Sequence, residues 1–95
     1  MKIHNDFLRE CTQHALLMQL EAAYPHSLPI KTLKLGLLLS GLPIHRRFLE
    51  KELAYLLEKR FIHRVYNQLC PQHHRYQLST KGIDFLNGER NAYYL

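Results

Sequence analysis

The sequence predicts a fold of the α+β class that is mainly helical. Apolar residues recur at steps of three and four in the first sixty residues, which is the spacing of helical faces. Two short stretches of β-rich composition then flank a polar loop, as in a hairpin, and a last apolar stretch follows them. A chain of 95 residues, 46% of them hydrophobic, has room for one core. We therefore expect a single domain over residues 1–95, with its core at 6–88 and a C-terminal tail at 89–95.

The first predicted element is a helix over residues 6–24. One face of this helix carries apolar side chains at steps of three and four: Leu8, Cys11, Ala15, Met18 and Ala22. We expect Asn5 or Asp6 to accept hydrogen bonds from the free amides of the first turn. Pro25 ends the helix, because it has no amide hydrogen to donate.

A minimal strand and two further helices follow. Residues 27–30, beside two prolines, are long enough only for a brief strand. The leucine-rich residues 31–40 predict a short second helix, ended by the turn residues Ser-Gly-Leu-Pro at 40–43. The third helix runs from His45 to about Arg60. If Leu49 sets the direction of the core, the other core-facing leucines lie within about a quarter-turn of it: Leu53, Leu56 and Leu57.

The predicted hairpin has its strands at residues 61–69 and 75–78, joined by a loop that contains Pro71. In each strand, two side chains are available to one face: Ile62 with Tyr66, and Tyr76 with Leu78. After the hairpin, Ser79 is placed to cap a final helix, which we expect Gly88 to end.

The basic charge of the chain is concentrated in its middle. The net charge is +5, yet residues 31–81 alone hold ten Lys and Arg against three Glu, a net charge of +7. Residues 1–30 and 82–95 each carry −1. A basic block interleaved with histidines is typical of a surface that meets a polyanion. An ordinary solvated surface with a high pI is the alternative.

The order of elements, together with LLEKRFIHRV at residues 56–65 and RYQLSTKGIDFL at 75–86, resembles the winged helix-turn-helix superfamily. The resemblance is to bacterial regulators of the MarR and PadR kind. In such families the hairpin closes with Tyr-x-Leu-Ser/Thr-x-x-Gly before an apolar helix. Arg60 stands where those families usually place a glycine, so we expect the turn after the third helix to be made differently here. The implied fold is a three-helix core, a two- to three-stranded wing and a C-terminal helix.

The resemblance implies a small transcription regulator that binds double-stranded DNA in a sequence-specific manner, with the third helix in the major groove and the hairpin around residues 67–74 on the phosphate backbone. The outward face of that helix is free of large aliphatic residues, as base recognition requires. The candidate recognition residues are His45, Arg46, Arg47, Glu50, Lys51 and Tyr55. The candidate backbone and wing residues are Lys31, Lys34, Arg64, His73, His74 and Arg75. Glu50, Glu52 and Glu58 weigh against phosphate contact, although Glu50 is able to accept a hydrogen bond from a cytosine amino group.

The alternative function is a winged-helix module that binds proteins and uses the fold only as a scaffold. The distribution of charge over the surface of the folded protein distinguishes DNA binding from protein binding. One continuous basic surface would favour DNA, whereas lysines and arginines broken up by the three glutamates would favour a protein partner.

A zinc site is a competing interpretation of two Cys-x-x-His spacings. Cys11, His14, Cys70 and His73 have the donor atoms that zinc prefers. However, Cys11 lies on the predicted apolar face of helix one, where a buried cysteine acts as a small hydrophobe. Cys70 precedes a proline in a hairpin loop. We therefore interpret the second spacing as part of the wing and expect no metal or other cofactor.

Enzymatic activity has little support. The candidate nucleophile pair, Cys70 with His73 or His74, lies in an exposed loop rather than in a pocket that excludes water. The chain also has no glycine-rich phosphate loop. We expect no catalysis.

A homodimer is expected through helix one and the C-terminal segment, since these elements commonly pair across a two-fold axis in the resembling families. Tyr93, Tyr94 and Leu95 give that segment an apolar end, and a frayed tail or one packed on helix one is the alternative.

No apolar run approaches the roughly 18 residues of a membrane span. We expect a cytoplasmic protein with reduced thiols and no membrane partner.

Overall fold

The computed structural model describes residues 2–66, 68–70 and 73–94, and it describes side chains from Asp6 to Ala92 within those ranges. Within them the chain forms four helices and a three-stranded sheet, in the order α1 (Lys2–Ala23), β1 (Leu28–Pro29), α2 (Ile30–Leu39), α3 (Arg46–Glu58), β2 (Ile62–Val65), β3 (Arg75–Leu78) and α4 (Thr80–Tyr94). The predicted class, α+β and mainly helical, is confirmed. No helix in the described part of the chain is both long and apolar enough to cross a bilayer.

The sheet is antiparallel, with β3 between β1 and β2. Tyr76 on β3 is paired with Leu28 on one side and with Arg64 on the other. Directly paired residues place their side chains on the same face, so Arg64 and Tyr76 share a face. Tyr76 and Leu78 are both buried, as predicted. The first strand of the hairpin, β2, is shorter than predicted. It ends at Val65, and Tyr66 is exposed.

The hydrophobic core joins all four helices to one face of the sheet. Its buried members are Leu16, Leu17, Leu20, Leu33, Leu37, Leu49, Leu53, Leu56, Ile62, Tyr76, Leu78 and Leu86. Burying each leucine contributes about 1.5–3 kcal/mol before the loss of conformational entropy is counted. The leucines predicted for the core face of α3 are confirmed, with Leu57 half-buried at its edge.

The predicted apolar face of α1 is wrong. The helix buries Thr12, Leu16, Leu17 and Leu20, while Met18 and Ala22 of the predicted face are exposed. Leucine removes far more apolar surface from water than alanine or cysteine, so the three large leucines set the orientation of the helix.

The ends of α1 and α4 also differ from the predictions. Because α1 begins at Lys2, Asp6 lies inside the helix and does not cap it, and the side chain of Asn5 is outside the described residues. Gly88 does not end α4, which continues to Tyr94. The predicted cap by Ser79 is confirmed, since the Gly82 amide donates a hydrogen bond to Ser79 Oγ at 2.9 Å.

The turn between α3 and β2 has the geometry of a glycine turn with an arginine in the glycine position. Arg60 has a φ of 65°, in the left-handed region. The amide of Phe61 donates to the Leu56 carbonyl and that of Arg60 to the Leu57 carbonyl, each at 3.0 Å, which is the double hydrogen bond of a Schellman motif. The expectation that this turn would be made differently is therefore wrong. Ser79 Oγ donates to the Arg60 carbonyl at 2.7 Å and ties the turn to the start of α4.

Candidate nucleic-acid interface

The outward face of α3 is polar and basic. Arg46, Arg47 and Lys51 are exposed on it, while the leucines of the same helix are buried against the core. His45 precedes the helix and makes no side-chain hydrogen bond to its first turn. The amides of that turn are thus not capped by His45, and Arg46 and Arg47 lie beside them, an arrangement that attracts anions.

A groove of about 600 Å³ lies between the start of α2, one side of α3 and the sheet. Six of the twelve candidate residues line it: Lys31, Arg46, Glu50, Arg64, His73 and His74. Its floor and walls are completed by Pro29, Ile30, Ala54 and Tyr76. The pairing of Arg64 with Tyr76 explains how a residue of the hairpin reaches the same groove as α3.

A second depression continues this groove around the start of α3. It is lined by His45, Arg46, Arg47, Phe48 and Lys51, so Arg46 belongs to both. Together the two form what we call the basic surface, made of Lys31, His45, Arg46, Arg47, Lys51, Arg64, His73 and His74. Among the described lining residues, Glu50 is the one carboxylate.

Glu50 is paired with Arg46 one turn away on α3. The Arg46 Nε donates to Glu50 Oε1 at 2.9 Å, and both side chains are more than half exposed. Such an exposed pair contributes a few tenths of a kcal/mol to stability. Its larger effect is to orient the guanidinium at the junction of the two depressions.

Glu52 does not face the basic surface. Its side chain is buried, with the residue only 4% exposed, and it joins α3 to α1. The Arg9 Nε donates to both carboxylate oxygens at 3.2 and 3.3 Å, and Gln13 Nε2 donates to Oε1 at 2.6 Å. One of the three carboxylates expected to oppose phosphate contact is thus inside the molecule.

Two candidate residues lie apart from the basic surface. Tyr55 is half-buried beside α1, with the Arg9 guanidinium 5.3 Å and the Lys59 ammonium 5.6 Å from its ring centroid. Arg75 is held by the turn before β1, where its Nε donates to Ser27 Oγ at 2.9 Å and its Nη2 to the Ser27 carbonyl at 2.8 Å. The sequence did not indicate that Tyr55 would contact Arg9 or that Arg75 would be held by Ser27.

Lys34 borders the basic surface without lining it. It lies in a neighbouring groove with exposed leucines of α2, and that groove shares Lys31 and His45 with the basic surface. Phe48 and Tyr76 were missed as lining residues. Tyr76 was missed because a groove wall that depends on strand pairing is not visible in a linear pattern.

The hairpin contributes two histidines to the groove. The His73 amide donates to the Cys70 carbonyl at 2.9 Å, and His74 Nδ1 is buried without a hydrogen-bond partner among the described residues. A buried polar atom without a hydrogen-bond partner costs about 1–3 kcal/mol of stability. A ligand atom that formed a hydrogen bond with His74 Nδ1 would remove this cost. Of the predicted wing tip, Asn67, Pro71 and Gln72 lie outside the described residues.

The contact between α1 and α4 is polar at its outer edge. Arg90 Nη1 donates to Glu21 Oε2 at 2.9 Å, and Arg90 Nη2 also donates to Glu21 Oε1. The hydrogen bonds and charge of Arg90 hold the pKa of the Glu21 carboxyl below its ordinary value. The C-terminal side chains expected at a dimer contact, Tyr93, Tyr94 and Leu95, lie outside the described residues.

Within the described residues, no three His, Cys, Asp or Glu side chains are grouped as a metal site would require. This applies to the zinc set that the two Cys-x-x-His spacings suggested. Cys11 is half-buried on α1, where it lines a depression together with the core residues Leu17 and Leu56.

Comparison with known proteins shows one solved structure with a similar fold. No protein-family model matches the chain, and no curated protein matches it. Among solved structures, a PadR-like transcription factor from Bacteroides fragilis is similar, with a TM-score of 0.77 over 99% of this chain and 90% of that one. The two sequences are 14% identical, so the likeness concerns the fold. The architecture is that of a winged helix-turn-helix, in which α2 and α3 form the helix-turn-helix and β2 and β3 the wing.

Proposed function

We propose that this chain, which has the winged helix-turn-helix fold, binds double-stranded DNA in a sequence-specific manner as a small transcription regulator. The observation that carries the proposal is the basic surface, which gathers charge from α2, α3 and the hairpin into one region. A polyanion is the ligand that such a region attracts most strongly. The transcription factor to which the fold is similar makes the same class of function a natural first test.

In this proposal α3 enters the major groove. With 13 residues it is about 20 Å long, and a helix of about 10–12 Å diameter fits a groove about 12 Å wide. Arg47 and Lys51 point away from the core and would reach base edges. Arg46 would contact a base or a phosphate, with Glu50 orienting its guanidinium.

The residues around α3 would contact the sugar-phosphate backbone. Lys31 at the start of α2 lines the groove together with Arg64, His73 and His74 from the hairpin. Contacts of this kind fix the position of a protein on the duplex and carry little sequence information. We leave Tyr55 and Arg75 out of this set, because their side chains are engaged elsewhere.

The distribution of charge supports DNA over the protein-binding alternative. The glutamates do not break the basic surface into separate patches. Glu52 is buried, Glu50 is paired with Arg46, and Glu58 is exposed but lines neither of the two depressions. We also propose that the chain forms a homodimer through α1 and the C-terminal segment, and that it is cytoplasmic. A dimer would place two α3 helices on successive turns of the duplex.

A selection from random double-stranded DNA at two salt concentrations tests the proposal. We expect enrichment of one motif at both concentrations, and an affinity for that motif that falls steeply as salt rises, because neutralised phosphates release counterions. Failure to enrich any sequence, with weak and uniform binding, would reject sequence-specific recognition.

A further inference from the structure

The outward side of α2 exposes three leucines that the fold does not use. Leu35, Leu38 and Leu39 are 54%, 56% and 79% exposed. The helix is already held to the core by Leu33 and Leu37, which are fully buried. Contiguous exposed apolar side chains of this size typically mark a surface that meets a partner.

Two of these leucines form a groove rather than a flat patch. Leu35 and Leu38 line it together with Pro43 and Ile44 from the turn before α3, and its volume is about 420 Å³. Leu39 lies outside the groove, although it is on the same helix. A concave apolar wall fits inserted side chains of a folded or folding partner.

The rim of this groove is positively charged. Lys31 and Lys34 from α2 line it, as does His45, which follows Ile44 before α3. Among the described residues that line the groove there is no Asp or Glu. The complement of such a surface is a segment with apolar side chains along its centre and carboxylates on its flanks.

We propose that this groove, formed by Leu35, Leu38, Pro43 and Ile44, binds an acidic amphipathic helix of a partner protein. Apolar side chains of that helix at i, i+3 or i+4 and i+7 enter the groove, and its glutamates or aspartates meet Lys31, Lys34 and His45. DNA does not fit this role, because the leucines offer no hydrogen bonds to phosphates or base edges. The inference does not depend on DNA binding by the basic surface.

The groove lies next to the basic surface, so binding at one is expected to affect binding at the other. Lys31 and His45 belong both to the groove and to the basic surface. This link rests on the DNA binding proposed above: a bound acidic helix would then compete with DNA for these two cations. We expect the partner and DNA to weaken each other's binding, by the same factor in both directions.

A synthetic helical peptide with leucines at i, i+3 and i+7 and glutamates on both flanks is the probe. Titrated into the isotopically labelled chain, it is expected to shift the amide signals of Leu35, Leu38, Ile44 and Lys34 first. We expect L35S/L38S to weaken binding roughly tenfold or more, and K34E to weaken it as well. The matched control L39S removes an equally apolar, more exposed leucine outside the groove, and it should leave the affinity unchanged. A peptide with lysines in place of the glutamates should not bind.

The following outcomes would overturn the inference. The first is that the acidic peptide does not bind, and the second is that L39S weakens peptide binding as much as L35S/L38S does. The third is self-association, measured by sedimentation, that L35S/L38S abolishes, which would make a second copy of the chain the occupant. Binding to anionic vesicles that L35S/L38S abolishes, without peptide binding, would make the occupant a membrane surface.

Discussion

Gly82 on α4 lies directly against the carbonyl oxygen of Phe61. A Cβ atom at Gly82 would stand 2.2 Å from that oxygen, well inside van der Waals contact. The Gly82 amide also donates to Ser79 Oγ, and the Ser79 amide donates to the same Phe61 carbonyl at 3.0 Å. The Ser-x-x-Gly motif thus joins the end of the sheet, the turn after α3 and the start of α4.

Replacing Gly82 with alanine is expected to destabilise the protein by about 2–3 kcal/mol, because the backbone of α4 or of the turn must move to admit the methyl group. Chemical denaturation measures the change. The matched control is G88A on the same helix, where the added Cβ meets nothing within 4 Å. There we expect stabilisation of about 0.5–1 kcal/mol from helix propensity. Equal effects of the two substitutions would contradict the contact.

Replacing Arg60 with glycine is expected to stabilise the protein by about 0.5–1 kcal/mol. The residue has a φ of 65°, which costs an L side chain roughly 1 kcal/mol and glycine almost nothing. R60A is the control, because it removes the charge and side chain but keeps the strain. We expect the melting temperature to rise for R60G and not for R60A.

Glu50 and Glu52 are two residues apart on α3, and we expect the same substitution to affect stability at Glu52 and DNA affinity at Glu50. E52Q should destabilise the protein by about 1–2 kcal/mol, because it removes the buried charge that accepts from Arg9 and Gln13. E50Q should change stability by no more than about 0.5 kcal/mol. It should also increase affinity for DNA, because the amide oxygen of glutamine still accepts from Arg46 Nε while a negative charge is removed from the groove. Denaturation and DNA titration of both variants separate the two roles, and a larger loss of stability in E50Q would refute the assignment.

The ion pair between Glu21 and Arg90 should contribute to stability in a pH-dependent way. Arg90 holds the pKa of Glu21 below its ordinary value of 4.5. A lowered carboxyl pKa stabilises the folded state fully above the unfolded value and loses that contribution as the pH falls through the folded value. The wild type should therefore melt above E21Q at pH 7, and the difference should shrink below about pH 4.5. A difference that is constant from pH 7 to pH 3 would show that the charge of Glu21 does not matter.

Features set by strong local patterns were predictable. The leucines of α3 repeat over more than two turns, so its buried face was predicted from spacing alone. Ser79 was recognised as a cap because a short polar side chain stood just before an apolar stretch. The strand at residues 75–78 was predicted with the bounds that the structure has.

Features set by distant partners were not predictable. Glu52 accepts from Arg9, which is 43 residues away, and Arg75 donates to Ser27, which is 48 residues away. No periodicity within one helix or strand shows such pairs. The face of α1 was misassigned for a different reason, because counting apolar residues equally gave Ala15 and Ala22 the same weight as Leu16 and Leu20.

The central claim, that the outward face of α3 contacts DNA, is tested most directly by two double variants that remove the same charge. R47Q/K51Q lies within the basic surface, whereas K59Q/K81Q lies outside it. On the selected DNA site we expect R47Q/K51Q to lower the affinity by roughly tenfold or more, as lost base contacts do, and to reduce the dependence of affinity on salt. K59Q/K81Q should bind like the wild type. An equal loss in both variants, or none in R47Q/K51Q, would contradict the account.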